Sequence, residues 1–101
     1  MQTAALVDRI VRTPDICGGK ARIAGHRIRV RDVVSWIEIF GKGVDEIAHE
    51  YDLEQADVYM ALAYYHANRK VLKEEWKEED ALVEQMKRKY PSRLNAIRRN
   101  G

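Results

Sequence analysis

The sequence is poor in the residues that staple, break or anchor a chain. It holds one cysteine, two prolines and one phenylalanine in 101 residues. The lone Cys17 excludes an internal disulfide, and one cysteine is too few for a structural zinc site. No stretch reaches the ~20 apolar residues needed to span a bilayer. The opening MQTAALVD lacks both the basic start and the sustained apolar run of a secretory signal. A soluble, cytoplasmic protein without membrane contact is therefore expected. Catalytic groupings are equally sparse. Cys17, His26, His49 and His66 show no metal-ligand spacing, and Gly18-Gly19-Lys20 lacks the first glycine and the Ser/Thr of a phosphate loop. Neither an enzyme, a metal nor a cofactor is expected.

What the chain does carry is segregated charge. Residues 1–34 hold seven Lys/Arg against three Asp/Glu, residues 35–85 five against thirteen, and residues 86–101 six against none. Two basic ends around an acidic middle point to separate electrostatic tasks. A chain of this length buries roughly 65% of its unfolded surface, enough for one core but not for a deep enclosed active site.

Apolar spacing places that core between Val30 and Asn68. Val30, Val33, Val34, Ile37 and Phe40 fall on one helical stripe, and Trp36 and Ile39 widen it. Gly41-Lys42-Gly43 ends this helix. Val44, Ile47, Ala48 and Tyr51 repeat the pattern over two turns, with Asp45 and Glu46 in the first turn, where the helix dipole favours carboxylates. Asp52-Leu53 interrupts it. A third helix begins at Glu54, with Val58, Ala61, Leu62 and Tyr65 on one row and Met60, Tyr64 and Ala67 on a second, which predicts burial on two sides. Three short helices with two tight connections make a helix-turn-helix. Before them, Arg9 to Arg12 is β-prone, Thr13-Pro14-Asp15 is a turn, and Ala21 to Val30 reads as a hairpin about Gly25. Ile23, Ile28 and Val30 alternate there with arginines, predicting an apolar face and a basic one.

Beyond Lys70 the pattern changes. Leu72, Trp76, Glu79, Val83, Met86 and Tyr90 recur in steps of four and three along a charged helix that Pro91 stops. Ser92 opens a last short element in which Leu94 and Ile97 share a face. The expected division is thus residues 1–69, a hairpin plus helix-turn-helix, and residues 70–101, a charged helix with a basic tail.

Four segments together resemble the bacterial domain of unknown function 433. They are Pro14-Asp15-Ile16-Cys17-Gly18-Gly19-Lys20, the run Ile23 to Asp32, Glu46-Ile47-Ala48-His49-Glu50-Tyr51, and Ala61-Leu62-Ala63-Tyr64-Tyr65. The likeness covers about residues 9–75. It departs at Ala21, where the family has proline, and at Val44, where a capping Ser/Thr is usual. The resemblance implies a mainly α fold, a homeodomain-like helix-turn-helix bundle with a short N-terminal β-hairpin and a long C-terminal helix. It also implies a VapB-type antitoxin of a type II pair, which neutralises a PIN-like ribonuclease toxin and binds its own promoter DNA.

On that reading Arg22, Arg27, Arg29 and Arg31 of the hairpin are expected to meet DNA, with Gln55 and Tyr59 at the start of the third helix. Arginine on a two-stranded ribbon suits phosphates in a major groove, and glutamine suits adenine. Glu54 and Asp57 oppose deep insertion, because carboxylates facing the duplex cost affinity. The expected toxin-binding set is Trp76, Met86, Tyr90, Arg93, Leu94, Ile97, Arg98 and Arg99: arginines for a carboxylate cluster, apolar side chains for a groove. A homodimer is expected. Two rival readings are a stand-alone DNA-binding transcriptional regulator and a helical dimerisation module that does not bind DNA.

Overall fold

A computed structural model of the chain describes Leu6 and residues 8–94. The chain divides into two compact units, Met1–Arg69 and Lys70–Gly101. The first is built on a small antiparallel pair, β1 (Ile10–Val11) with β2 (Arg22–Ile23), in the register Ile10 to Ile23 and Val11 to Arg22. Helices α1 (Val30–Glu38), α2 (Val44–Glu50) and α3 (Gln55–Ala67) follow, and α4 (Arg69–Lys89) continues into the second unit. The fold is mainly helical with a short N-terminal hairpin, as the spacing predicts.

The hairpin differs in detail from the expectation. Its two regular strands are β1 and β2, while the return from His26 to Val30 is held by one Arg22–Arg29 bridge and by two backbone bonds. The Ile23 N–H donates to the Ile28 oxygen at 2.8 Å, and the Val30 N–H to the Ala21 oxygen at 2.9 Å. Gly25 makes the turn between them at φ +79°, a conformation that other residues adopt only with strain. Between the strands, Ile16 N–H donates to Thr13 oxygen across the Pro14-Asp15 turn. Cys17, Gly18 and Gly19 then run through left-handed backbone at φ 51°, 63° and 75°.

Each helix of the first unit begins with the same device. The carboxylate of the residue at the third helical position accepts from the backbone N–H just before the helix: Asp32 from Arg29, Glu46 from Gly43 and Asp57 from Glu54. Each bond satisfies the N–H of the residue that precedes the helix, while no N-cap side chain makes a capping bond back to the helix backbone. Gly43 is the N-cap of α2, and Val44 is its first helical residue.

The core of this unit gathers Ala21 and Ile23 from the hairpin, Val30, Val33 and Val34 from α1, Ile47 and Ala48 from α2, and Val58, Ala61 and Tyr65 from α3. The expected stripes supply these core residues, although Ile37, Val44, Tyr51 and Leu62 are only half-buried and the end of α1 is exposed. That helix stops at Glu38, and Ile39 and Phe40 stand 74% and 68% exposed. Trp36, lying off the stripe, stacks instead on Tyr51 with ring centroids 4.1 Å apart and planes 8° from parallel. Lys42 sits over the Tyr51 ring and donates to the Glu50 carboxylate. This cluster fastens the loop after α1 onto the end of α2.

Candidate nucleic-acid interface

The helix-turn-helix is formed by α2, the turn Tyr51 to Glu54, and α3. Asp52 takes φ +54° there, a left-handed position that Asp tolerates better than most residues. The Leu53 N–H donates to the Ala48 oxygen at 2.8 Å and fixes the angle of entry into α3. Both acids at the start of α3 are met by Arg9, 48 positions before Asp57. Arg9 Nη1 lies 2.8 Å from Asp57 Oδ1 and 2.9 Å from Glu54 Oε2. These hydrogen bonds, to Asp57 first and Glu54 second, hold the Arg9 guanidinium above its ordinary pKa. Asp57 is buried, so of the two acids it is Glu54 that stays on the surface.

The electrostatic objection to α3 is thus reduced by a residue that spacing along the helix does not reveal. Gln55 and Tyr59, one turn apart, are exposed on the outer face. On the flank nearer β1, the second apolar row behaves differently from the expectation. Met60, Ala63, Tyr64, Ala67 and Asn68 line, with Ile10, an open groove of about 220 Å³ rather than a second buried seam.

The basic hairpin requires a correction. Its arginines do not share one solvent face. Arg22 is buried beneath the loop that precedes it, bonded to Thr13 Oγ1, Ile23 oxygen and His26 oxygen. Arg29 is turned to Asp32, with Nη2 3.0 Å from Oδ1 and Nε 3.4 Å from Oδ2. Arg31 is half-buried and Arg27 exposed. Period-two alternation assumes a flat ribbon, whereas two-residue strands packed under a loop and over helices bury consecutive residues. Arg12, not among the expected contacts, is also exposed, its Nε 3.3 Å from the Tyr64 hydroxyl and its Nη1 3.3 Å from Gly19 oxygen. Ile16, Arg22, Gly25, His26 and Arg27 surround a solvent-open pocket of about 280 Å³.

In the second unit the expected seam is uneven. Leu72 is buried, Trp76 and Glu79 are half-buried, and Val83, Met86 and Tyr90 are exposed. Leu82 is exposed as well and was not among the expected residues. The spacing Leu82, Met86, Tyr90, each one turn apart, carries that signal. Arg93 and Leu94 are exposed, while Ile97, Arg98 and Arg99 lie outside the described residues. Among the described residues no group of three His, Cys, Asp or Glu is placed to hold a metal ion, and no helix is long and apolar enough to cross a membrane.

Residues 10–65 match the family model described as protein of unknown function, DUF433. The crystal structure of a DUF433 member protein from Anabaena variabilis ATCC 29413 is similar over 71% of this chain and 71% of that chain. The identity is 33% and the TM-score 0.62. No curated protein matches the chain.

Proposed function

The chain belongs to the DUF433 family of proteins of unknown function, and from that premise we propose that it is the antitoxin of a type II pair. It neutralises a PIN-like ribonuclease through the end of α4 and the basic tail, and binds its promoter DNA as a homodimer through the first unit. It acts in the cytoplasm, where both partners are found. The observation that carries this reading is the outer half of α4 and the residue just past it, where Leu82, Val83, Met86 and Tyr90 are exposed among charged residues. A helix that displays large apolar side chains toward water is completed by a groove on another protein. Arg93 follows at once, suited to a ribonuclease whose active site is a carboxylate cluster.

The first unit suits a separate task. Arg9 offsets one of the two carboxylate charges at the start of α3, where Gln55 and Tyr59 are exposed, as Arg27 is on the hairpin. Ile39 and Phe40 supply apolar surface for a second copy, and a two-fold dimer reads two half-sites. A stand-alone regulator draws on the same Arg9 arrangement but gives the end of α4 no role.

The test is co-expression with the product of the neighbouring gene. Expected are growth rescue and co-purification, both lost when the chain is cut after Arg69. A harmless neighbour, or one that does not co-purify, removes the toxin half of the proposal. A promoter complex that fails to weaken with added salt removes the DNA half.

A further inference from the structure

Arg22 is 7% exposed, and every acceptor it meets is neutral. Nη1 donates to the Ile23 and His26 oxygens at 3.3 and 3.1 Å, and Nη2 donates to Thr13 Oγ1 at 3.0 Å. Its Nε–H is buried without an acceptor, as is that of Arg9, but Arg9 has carboxylates at its Nη1 and Arg22 has none among the described residues. Arginine keeps its charge at any physiological pH, and a buried charge without a counter-charge is strongly unfavourable. The same fold does supply carboxylates to neighbouring arginines: Arg9 has Asp57 and Glu54, and Arg29 has Asp32. Among the described residues none plays that part for Arg22.

The same side chain borders the 280 Å³ pocket, whose other walls are Ile16, Gly25, His26 and Arg27. Among the described residues no carboxylate lines it. Arg27 places a second guanidinium on the exposed rim, and His26 adds an imidazole. A side chain built on Gly25 would meet nothing within 4 Å, so the turn leaves the mouth open. We propose that this pocket binds a phosphate group, which is the missing counter-ion of Arg22. Two planar guanidinium forks match the spread of phosphate oxygens better than a single point charge would. The open mouth admits a phosphate that is part of a larger molecule. The site does not rest on the antitoxin reading, and a free phosphate and a nucleic-acid phosphodiester both meet its chemistry.

The experiment uses the full chain, labelled with ¹⁵N and titrated with inorganic phosphate against sodium chloride of matched ionic strength. Expected are saturable shifts of the Arg22 Nε–H and of the Gly25, His26 and Arg27 amides, with a thermal midpoint that rises and saturates in step. Replacing Arg22 disturbs the loop it braces, so the exposed Arg27 carries the mutational arm. Arg27→Ala should weaken phosphate binding by about tenfold, with the remaining amide spectrum unchanged. Chloride moving the same resonances equally, shifts that never saturate, or unaltered phosphate binding by Arg27→Ala would each overturn the site.

A labelled DNA duplex then identifies the source of the phosphate. Competition by inorganic phosphate, with weaker duplex binding by Arg27→Ala, assigns the site to the DNA backbone. Saturable phosphate binding with duplex affinity equal in both proteins assigns it to a free phosphate or phosphomonoester. Duplex binding without a saturable phosphate response sinks the pocket and leaves the DNA reading standing.

Discussion

Tyr65 and Tyr59 lie on the same helix, six residues apart, and the fold predicts opposite outcomes for their removal. Tyr65 is 1% exposed and is the largest fully buried side chain of the core, while Tyr59 is 56% exposed. Truncating a buried aromatic to alanine costs roughly 3–5 kcal/mol, combining lost transfer energy with the cavity left behind. A unit of the size Met1–Arg69 is expected to be stable by roughly 3.5–10 kcal/mol, at 0.05–0.15 per residue. Tyr65→Ala therefore removes roughly 30% or more of the margin and lowers the melting temperature by at least about 12 °C, at 4–8 °C for each kcal/mol. Tyr59→Ala, with little to lose from the core, should stay within about 0.5 kcal/mol of the parent. Urea unfolding followed by far-UV circular dichroism measures both. Equal losses, or a larger one for Tyr59→Ala, would mean that α3 turns its other face to the core. The assignment of Gln55 and Tyr59 to an outer reading face would then fail with it.

Three further outcomes are expected. The Lys42 ammonium, held above the ordinary 10.5 by its hydrogen bond to Glu50, should titrate above that value by ¹³C NMR of Cε and return to it in Glu50→Gln. Because the folded pKa is raised, the stability from this pair is present below 10.5 and lost as the pH climbs through the raised value; titration at or below 10.5 would show the pair unformed. Asp52→Gly relieves a left-handed backbone at φ +54° and should raise stability by up to about 1 kcal/mol in urea melts, a clear loss contradicting the turn. Leu82, Met86 and Tyr90, each about half exposed or more, offer roughly 1 kcal/mol apiece to a groove. Changing all three to serine should weaken a co-purifying ribonuclease partner by about a hundredfold in calorimetry without loss of helix. Unchanged affinity would place the contact elsewhere.

How much of this was legible in the sequence depends on the range of the interaction. The helices were, because the apolar stripes Val30-Val33-Val34 and Val58-Ala61-Tyr65 repeat within a few residues and the capping acids stand three positions into each helix. The family likeness was legible for the same reason, since its motifs are short and ordered. Contacts across the fold were not. Nothing near Asp57 in the chain announces that Arg9 neutralises it, and the Trp36–Tyr51 stack joins two helices through a residue that the stripe left outside. The hairpin misled for a related reason. Alternation assigns Arg22 to solvent, yet a strand of two residues covered by the Thr13 loop has no solvent face to offer. On α4 the four-residue step Leu82-Met86-Tyr90 was present, but the mixed three-and-four seam drew Val83 in its place.

The count of basic residues in the first 34 positions therefore overstates the positive charge that the proposed DNA contact would draw on. Arg9 is engaged by Asp57 and Glu54, Arg29 by Asp32, and Arg22 lies inside the fold. Counterion release makes the difference measurable, since each phosphate neutralised adds about −0.9 to the slope of log K against log salt. Arg27, exposed on the hairpin, should contribute one such step, so that Arg27→Ala makes the slope shallower by roughly 0.9. Arg29, whose charge is matched by Asp32 in the first turn of α1, should contribute much less, and Arg29→Gln should leave the slope nearly where it was. Fluorescence anisotropy of a promoter duplex across a salt series reads both. Equal decreases would show that the Arg29–Asp32 pair opens on the duplex. The hairpin would then be the one-sided ribbon that its alternation describes, formed only on DNA.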